Sequence, residues 1–101
     1  MAMTRDDVIR RLLSVEPDLR AGGVAALFLF GSRARDEAGP DSDIDLFVDP
    51  ADEPSFDLAA YDATYALVER AFPDMPVGYS TRDGLVPVFR PHIEREAIRV
   101  F

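Results

Sequence analysis

The stretch FLFGSRARDEAGPDSDIDLFVDP, Phe28 to Pro50, decides how this chain is read. An apolar run stops at Gly31-Ser32, a polar segment follows, and DSDID opens a second apolar run. The first run, Val24 to Phe30, is too short for a typical helix and is flanked by glycines, so it reads as a buried strand. Ile44 to Val48 reads as a second strand, ended by Asp49-Pro50.

Side chains alternate along a strand, so Asp43 and Asp45 share a face, roughly 7 Å apart. Phe47 breaks an otherwise two-sided pattern. Two carboxylates on one face repel unless a cation lies between them. Hard oxygen donors of this kind suit Mg²⁺, which takes one or two carboxylates together with substrate phosphate oxygens. Upstream, Gly31-Ser32 stands where a strand turns into a short helix, Ser32 to Asp36. A glycine lets a phosphate approach the backbone, and N–H groups at a helix start attract it. Ser32 adds a hydroxyl, and Arg33 and Arg35 offer positive charge. A phosphate cradle and metal carboxylates then face each other across one loop, an arrangement suited to phosphoryl or nucleotidyl transfer.

Outside this stretch, Thr4 followed by Asp6 and Asp7 reads as a helix N-cap with an acidic first turn. Val8, Leu12, Val15 and Leu19 make its apolar stripe, Pro17 interrupts it, and Gly22-Gly23 closes it. Leu58, Tyr61, Tyr65, Val68 and Phe72 form a second stripe, with Ser55 as the expected cap. Val77 to Ser80 predicts a third strand. The tail predicts a closing helix with Phe89, Ile93, Ala97 and Val100 on one face and Pro91 in its first turn. The order is α, β, short α, β, α, β, α, an α/β (α+β) pattern in a single domain, 1–101.

Composition narrows the function classes. The chain has 101 residues, 48% hydrophobic and 30% charged, which is a globular range. No apolar run approaches the ~18 residues that cross a bilayer, and a cytoplasmic location is expected. Cysteine is absent, so disulfides and thiolate metal sites are excluded. A formal charge of −8 argues against direct DNA binding, which needs a cationic face. A nucleotide substrate stays compatible, since a metal reverses the local sign. All 11 basic residues are Arg, so there is no P-loop lysine. Asp41, Asp43 and Asp45 imitate the start of a calcium loop, but Leu46 stands where that loop requires glycine. His92 reads as an ordinary helix residue, Tyr61 and Tyr65 as core, and Asp49 as a turn residue sharing Asp45's parity.

Gly31-Ser32, ten intervening residues, then Asp43-Ile44-Asp45 and Leu46 resemble the signature of polymerase-β-like nucleotidyltransferases. Within them, GSRARDEAGPDSDIDLFV is similar to the minimal nucleotidyltransferases, often encoded beside a HEPN-domain partner as toxin–antitoxin pairs. The resemblance implies a small mixed β-sheet flanked by helices, with ATP and Mg²⁺ between the turn and the aspartate strand. It implies Asp43 and Asp45 as catalytic metal ligands, with Ser32 and the backbone around it holding the triphosphate; with the residue reading, the expected nucleotide-binding set is Gly31, Ser32, Arg33, Arg35 and Ser42. It also implies a HEPN-type toxin as partner, to which some family antitoxins transfer AMP.

Two departures stand out. Active relatives carry a third acidic residue on the next strand, where this chain has Gly78; Asp74 and Asp83 are poor replacements by spacing. Asp36 stands where a glycine commonly follows the second arginine. The expectation is therefore a protein adenylyltransferase antitoxin, against a catalytically decayed antitoxin that neutralises its partner by binding. An aminoglycoside acceptor is a runner-up, for which no pocket is legible.

Overall fold

The computed structural model describes residues 3–101. Helix α1, Arg5–Leu13, starts at a capping box in which the Thr4 hydroxyl accepts from the Asp7 N–H and the Asp7 carboxylate accepts from the Thr4 N–H. Helix α2, Glu16–Ala21, restarts the chain with Pro17 in its first turn, and Gly23, at φ 104°, turns it into strand β1, Val24–Phe30. A single helical turn, α3, Gly31–Ala34, follows, then strand β2, Ile44–Pro50. Helix α4, Leu58–Ala71, leads to strand β3, Val77–Thr81; helix α5, Arg90–Glu96, leads to a short strand β4, Ile98–Arg99.

The four strands form one mixed sheet in the order β3-β2-β1-β4. β1 runs antiparallel to β2 and β4, while β2 and β3 are parallel. Register divides the sheet into two faces. Leu27, Leu29, Ile44, Leu46, Val48 and Tyr79 point to one side, where they form a single core with Val8, Leu12, Leu19, Val68 and Phe72 of the helices. The other side carries Phe28, Phe30, Asp45, Phe47, Asp49, Gly78 and Ser80.

The hydroxyls in the core are paired. The Tyr79 hydroxyl donates to Thr64 Oγ1 (2.8 Å), which donates to the Ala60 carbonyl (2.9 Å). Burial pushes the Tyr79 hydroxyl pKa up to about 12. Tyr61 and Tyr65 pack in the aromatic group around Tyr79, and their hydroxyls donate to the carbonyls of Tyr79 and Val77. Two carbonyls of edge strand β3 are thereby satisfied.

The sequence reading of the secondary-structure elements errs in two places. The tail is not one helix: Ala97 is extended at φ −64°, ψ 142°, and Ile98–Arg99 pairs with Phe28 and Leu29. Hydrogen bonds from Val100 N–H to Leu27 O and from Leu27 N–H to Phe101 O continue the pairing, because the outer edge of β1 needs partners. The cap of α4 is Asp57, which accepts from the Ala60 N–H at 2.9 Å, and not Ser55. Among the described residues no helix is long and apolar enough to cross a membrane.

Leu46 is fully buried in a central strand, whereas Leu58 is 73% exposed at the start of α4. Leu46→Ala should therefore cost about 2–5 kcal/mol of unfolding free energy in urea titrations. Leu58→Ala should stay within about 0.5 kcal/mol of the unaltered chain.

Candidate functional site

The site begins at the corner between β1 and α3. Gly31 sits at φ 76°, a left-handed conformation that strains residues with a Cβ. A Cβ there would also fall 2.5 Å from Asp45 Oδ2, well inside contact distance. The cause is register: Phe30 pairs with Asp45, so the β2 carboxylate lies directly against the turn leaving β1. A glycine is needed at this point for two separate reasons, and both arise from bringing the turn and the aspartate together.

Asp43 stands exposed just ahead of β2, and Asp45 is half-buried within it. Burial pushes the Asp45 carboxyl pKa up, and the charges of Asp43 and Glu96 add to the shift. No ion pair to Asp45 is formed among the described residues. Hard oxygen donors crowded together without a cationic neighbour suit a divalent cation. Among the described residues no three acidic or histidine side chains converge closely enough to hold an ion by themselves. The donor set offered by the chain is thus the aspartate pair.

Beside Asp45 on β3 lies Gly78, its ladder partner. A Cβ at Gly78 would come 3.1 Å from Asp45 Oδ1, so this is the position from which a third carboxylate would stand beside Asp45. Nothing fills it. Asp74 lies outside β3, and Asp83 lies in the 3-10 turn Arg82–Gly84, where it pairs with Arg90.

The two arginines of the turn part company. Arg33 is 1% exposed; its guanidinium donates to Ser42 O (2.9 Å), Met3 O (3.1 Å) and Met75 Sδ (3.4 Å). It is directed into the protein and does not offer its charge at the surface of the turn, contrary to the expectation of a phosphate contact. Arg35 is exposed and bonded to Glu37 (3.1 Å) and Glu96 (3.0 Å). Ser32 is half-exposed in the first turn of α3, and its carbonyl accepts from the Glu37 N–H. Ser42 closes the polar loop, its hydroxyl accepting from the Gly39 N–H at 3.0 Å.

Asp36 proves to be a backbone feature. Its φ is 58°, which explains why glycine suits the position, and its carboxylate accepts from the Arg5 N–H at the start of α1 (3.1 Å).

Two features were not singled out from the sequence. Glu96 Oε1 accepts the Gly31 N–H (3.1 Å) while Oε2 pairs with Arg35 and lies 3.6 Å from His92 Nε2. Its distance from Gly31 in the chain is 65 residues, so no local pattern announces it. The second is an aromatic floor beside the aspartate: Phe28 and Phe47 stack at 4.7 Å, with Phe30 tilted against Phe47. Arg82 lies over both stacked rings and is held there by a two-bond pair to Asp49 and a bond to Glu94. Phe47, which spoils the alternation in the sequence, is buried beneath this cation.

Comparison with known proteins agrees with the fold. A solved structure described as that of a minimal nucleotidyltransferase superposes with a TM-score of 0.79 at 30% identity, over 95% of each chain. A toxin–antitoxin crystal structure with AMP-PNP gives a TM-score of 0.69 at 20% identity, over 92% of this chain and 72% of that one. A mutant MntA–HpeT toxin–antitoxin structure gives 0.61 at 18%, over 98% and 73%. At those identities the last two speak for the fold alone. No curated protein matches the chain. The family model described as nucleotidyltransferase domain matches residues 7–100, and by that near-complete match the chain belongs to the nucleotidyltransferase family.

Proposed function

We propose that this chain is a Mg²⁺-dependent nucleotidyltransferase that passes AMP from ATP to a HEPN-type toxin, acting as the antitoxin of the pair. The observation that carries the reading is Asp45 lying against the Gly31 corner, crowded by the charge of Asp43 and lacking a cationic partner. Asp43 and Asp45 would hold the cation, which would supply positive charge to the phosphate oxygens. The Gly31-Ser32 backbone and the Ser32 hydroxyl would seat the triphosphate beside them. Arg33 is left out, because its guanidinium is engaged inside the protein. Arg35 could contribute only by leaving its two surface ion pairs, which are weak enough for that. The structural likeness to toxin–antitoxin proteins supports the choice of partner class.

A second reading has its own observation. Gly78 leaves bare the position from which a third carboxylate would activate the acceptor hydroxyl. An antitoxin that neutralises its partner by contact alone fits that gap. Intact-mass spectrometry of the HEPN-type partner after incubation with ATP and Mg²⁺ separates the two. The transferase reading expects one added adenylate with the unaltered chain and none with Asp43→Ala plus Asp45→Ala. The binding reading expects adenylate only with Gly78→Asp, and neutralisation that survives loss of both aspartates.

The raised Asp45 pKa gives a pH-dependent expectation. Folding favours the protonated carboxyl, so this group's contribution is fully present below its ordinary pKa and is lost as pH rises through the raised value. Without divalent cations, Asp45→Asn should melt higher than the unaltered chain near neutral pH, and the difference should shrink in acid. Mg²⁺ should raise the melting temperature of the unaltered chain and leave that of the variant in place.

Glu96 holds a backbone N–H of the proposed triphosphate seat. Glu96→Ala removes that competitor and a nearby negative charge, so the Kd of a fluorescent ATP analogue should fall by the equivalent of about 1 kcal/mol.

A further inference from the structure

We propose that Arg33 is a positioning residue for Asp43, anchoring the chain on the N-terminal side of that carboxylate from inside the protein. The inference rests on reading Asp43 and Asp45 as cation ligands, and it goes beyond that reading by assigning Arg33 a role.

A buried guanidinium is costly unless its donors are met, and a carboxylate is its usual partner. Arg33 forms no ion pair among the described residues; it meets two carbonyls and a sulfur, and its Nε has no partner. The contacts join three separate segments: Met3 ahead of α1, Ser42 ahead of β2, and Met75 ahead of β3. Since Arg33 itself belongs to α3, the turn that carries Gly31 is tied directly to the approach of the aspartate strand.

The tie matters for one aspartate and not the other. Asp45 lies inside the ladder, paired with Phe30 on one side and Gly78 on the other. Asp43 lies outside the ladder and is exposed. Its backbone is anchored at the residues on either side: Ile44 N–H donates to Pro76 O (2.9 Å), and Ser42 O accepts from Arg33 (2.9 Å). The remaining bonds of Ser42 return to Gly39, within the same polar loop. Arg33 is thus the link from this loop's end to the body of the protein, and losing it leaves Asp43 anchored on one side. Groups that orient a metal ligand typically change metal affinity by about 10- to 100-fold when removed.

The test reads Mn²⁺ binding by the loss of free-ion EPR signal, with thermal melts on the same samples. Arg33→Met should lower Mn²⁺ affinity by about tenfold in a chain that still melts cooperatively. Its effect should be absent when Asp43→Asn is already present, because both changes act on one ligand. A multiplicative loss in the double variant, or unchanged affinity in Arg33→Met, overturns the proposal. If Arg33→Met does not fold, Arg33→Lys carries the test: it keeps the charge and loses the fork that spans two carbonyls. Its Mn²⁺ affinity must then fall while cooperative melting persists, and equality with the unaltered chain overturns the proposal. If Asp43→Asn and Asp45→Asn both bind Mn²⁺ as the unaltered chain does, the cation reading itself fails and this inference falls with it.

Discussion

The contact between the Gly31 backbone and the Asp45 carboxylate is the constraint around which the site is built. A left-handed φ and a 2.5 Å approach at the missing Cβ both demand glycine there. That approach is possible only because β1 and β2 pair with Phe30 opposite Asp45. A one-residue slip of β2 would turn Asp45 into the core and bring the apolar set of Ile44, Leu46 and Val48 to the site face. Core packing and site geometry therefore depend on one register, and the fully buried leucines and valines on one face hold the carboxylate in place on the other.

The site face is neither bare nor fully solvated. Phe28 and Phe47 of its aromatic floor are covered by Arg82, whose charge is matched by Asp49 and Glu94. Helix α5 then brings Glu96 to the Gly31 corner. Positive charge near the aspartates is consumed internally, by Glu94 and Asp49 in one case and by Glu37 and Glu96 in the other. The carboxylates at the corner remain uncompensated, and this imbalance is the electrostatic basis for drawing a divalent cation.

Reading the sequence placed the two principal strands, the apolar stripe from Val8 to Leu19 that α1 and α2 share, the stripe of α4, and the aspartate pair. Each rests on a local pattern: alternation, helical spacing, or a glycine bracket. The misreadings share a different origin. Phe89, Ile93, Ala97 and Val100 fit helical spacing, yet Ala97 onward is extended because the edge of β1 requires hydrogen-bond partners. Arg33 looks like surface charge beside a phosphate turn, and only the convergence of Met3, Ser42 and Met75 explains its burial. Asp36, a departure where glycine is common, is accounted for by its φ and by its bond to the Arg5 N–H, which comes from a distant part of the chain.

By itself, the sequence determined the order of the main elements, the closeness of Asp43 and Asp45 in the chain, and the absence of an acid at Gly78, since these follow from residue identity and short-range periodicity. Tertiary structure decided which arginine is buried, that Glu96 reaches Gly31 across 65 residues, and that the tail ends in a strand. Those outcomes depend on backbone and side-chain groups finding partners far away in the chain. No local spacing carries that information, because the cost of leaving a buried donor or a sheet edge unpaired is settled only when the whole sheet is assembled.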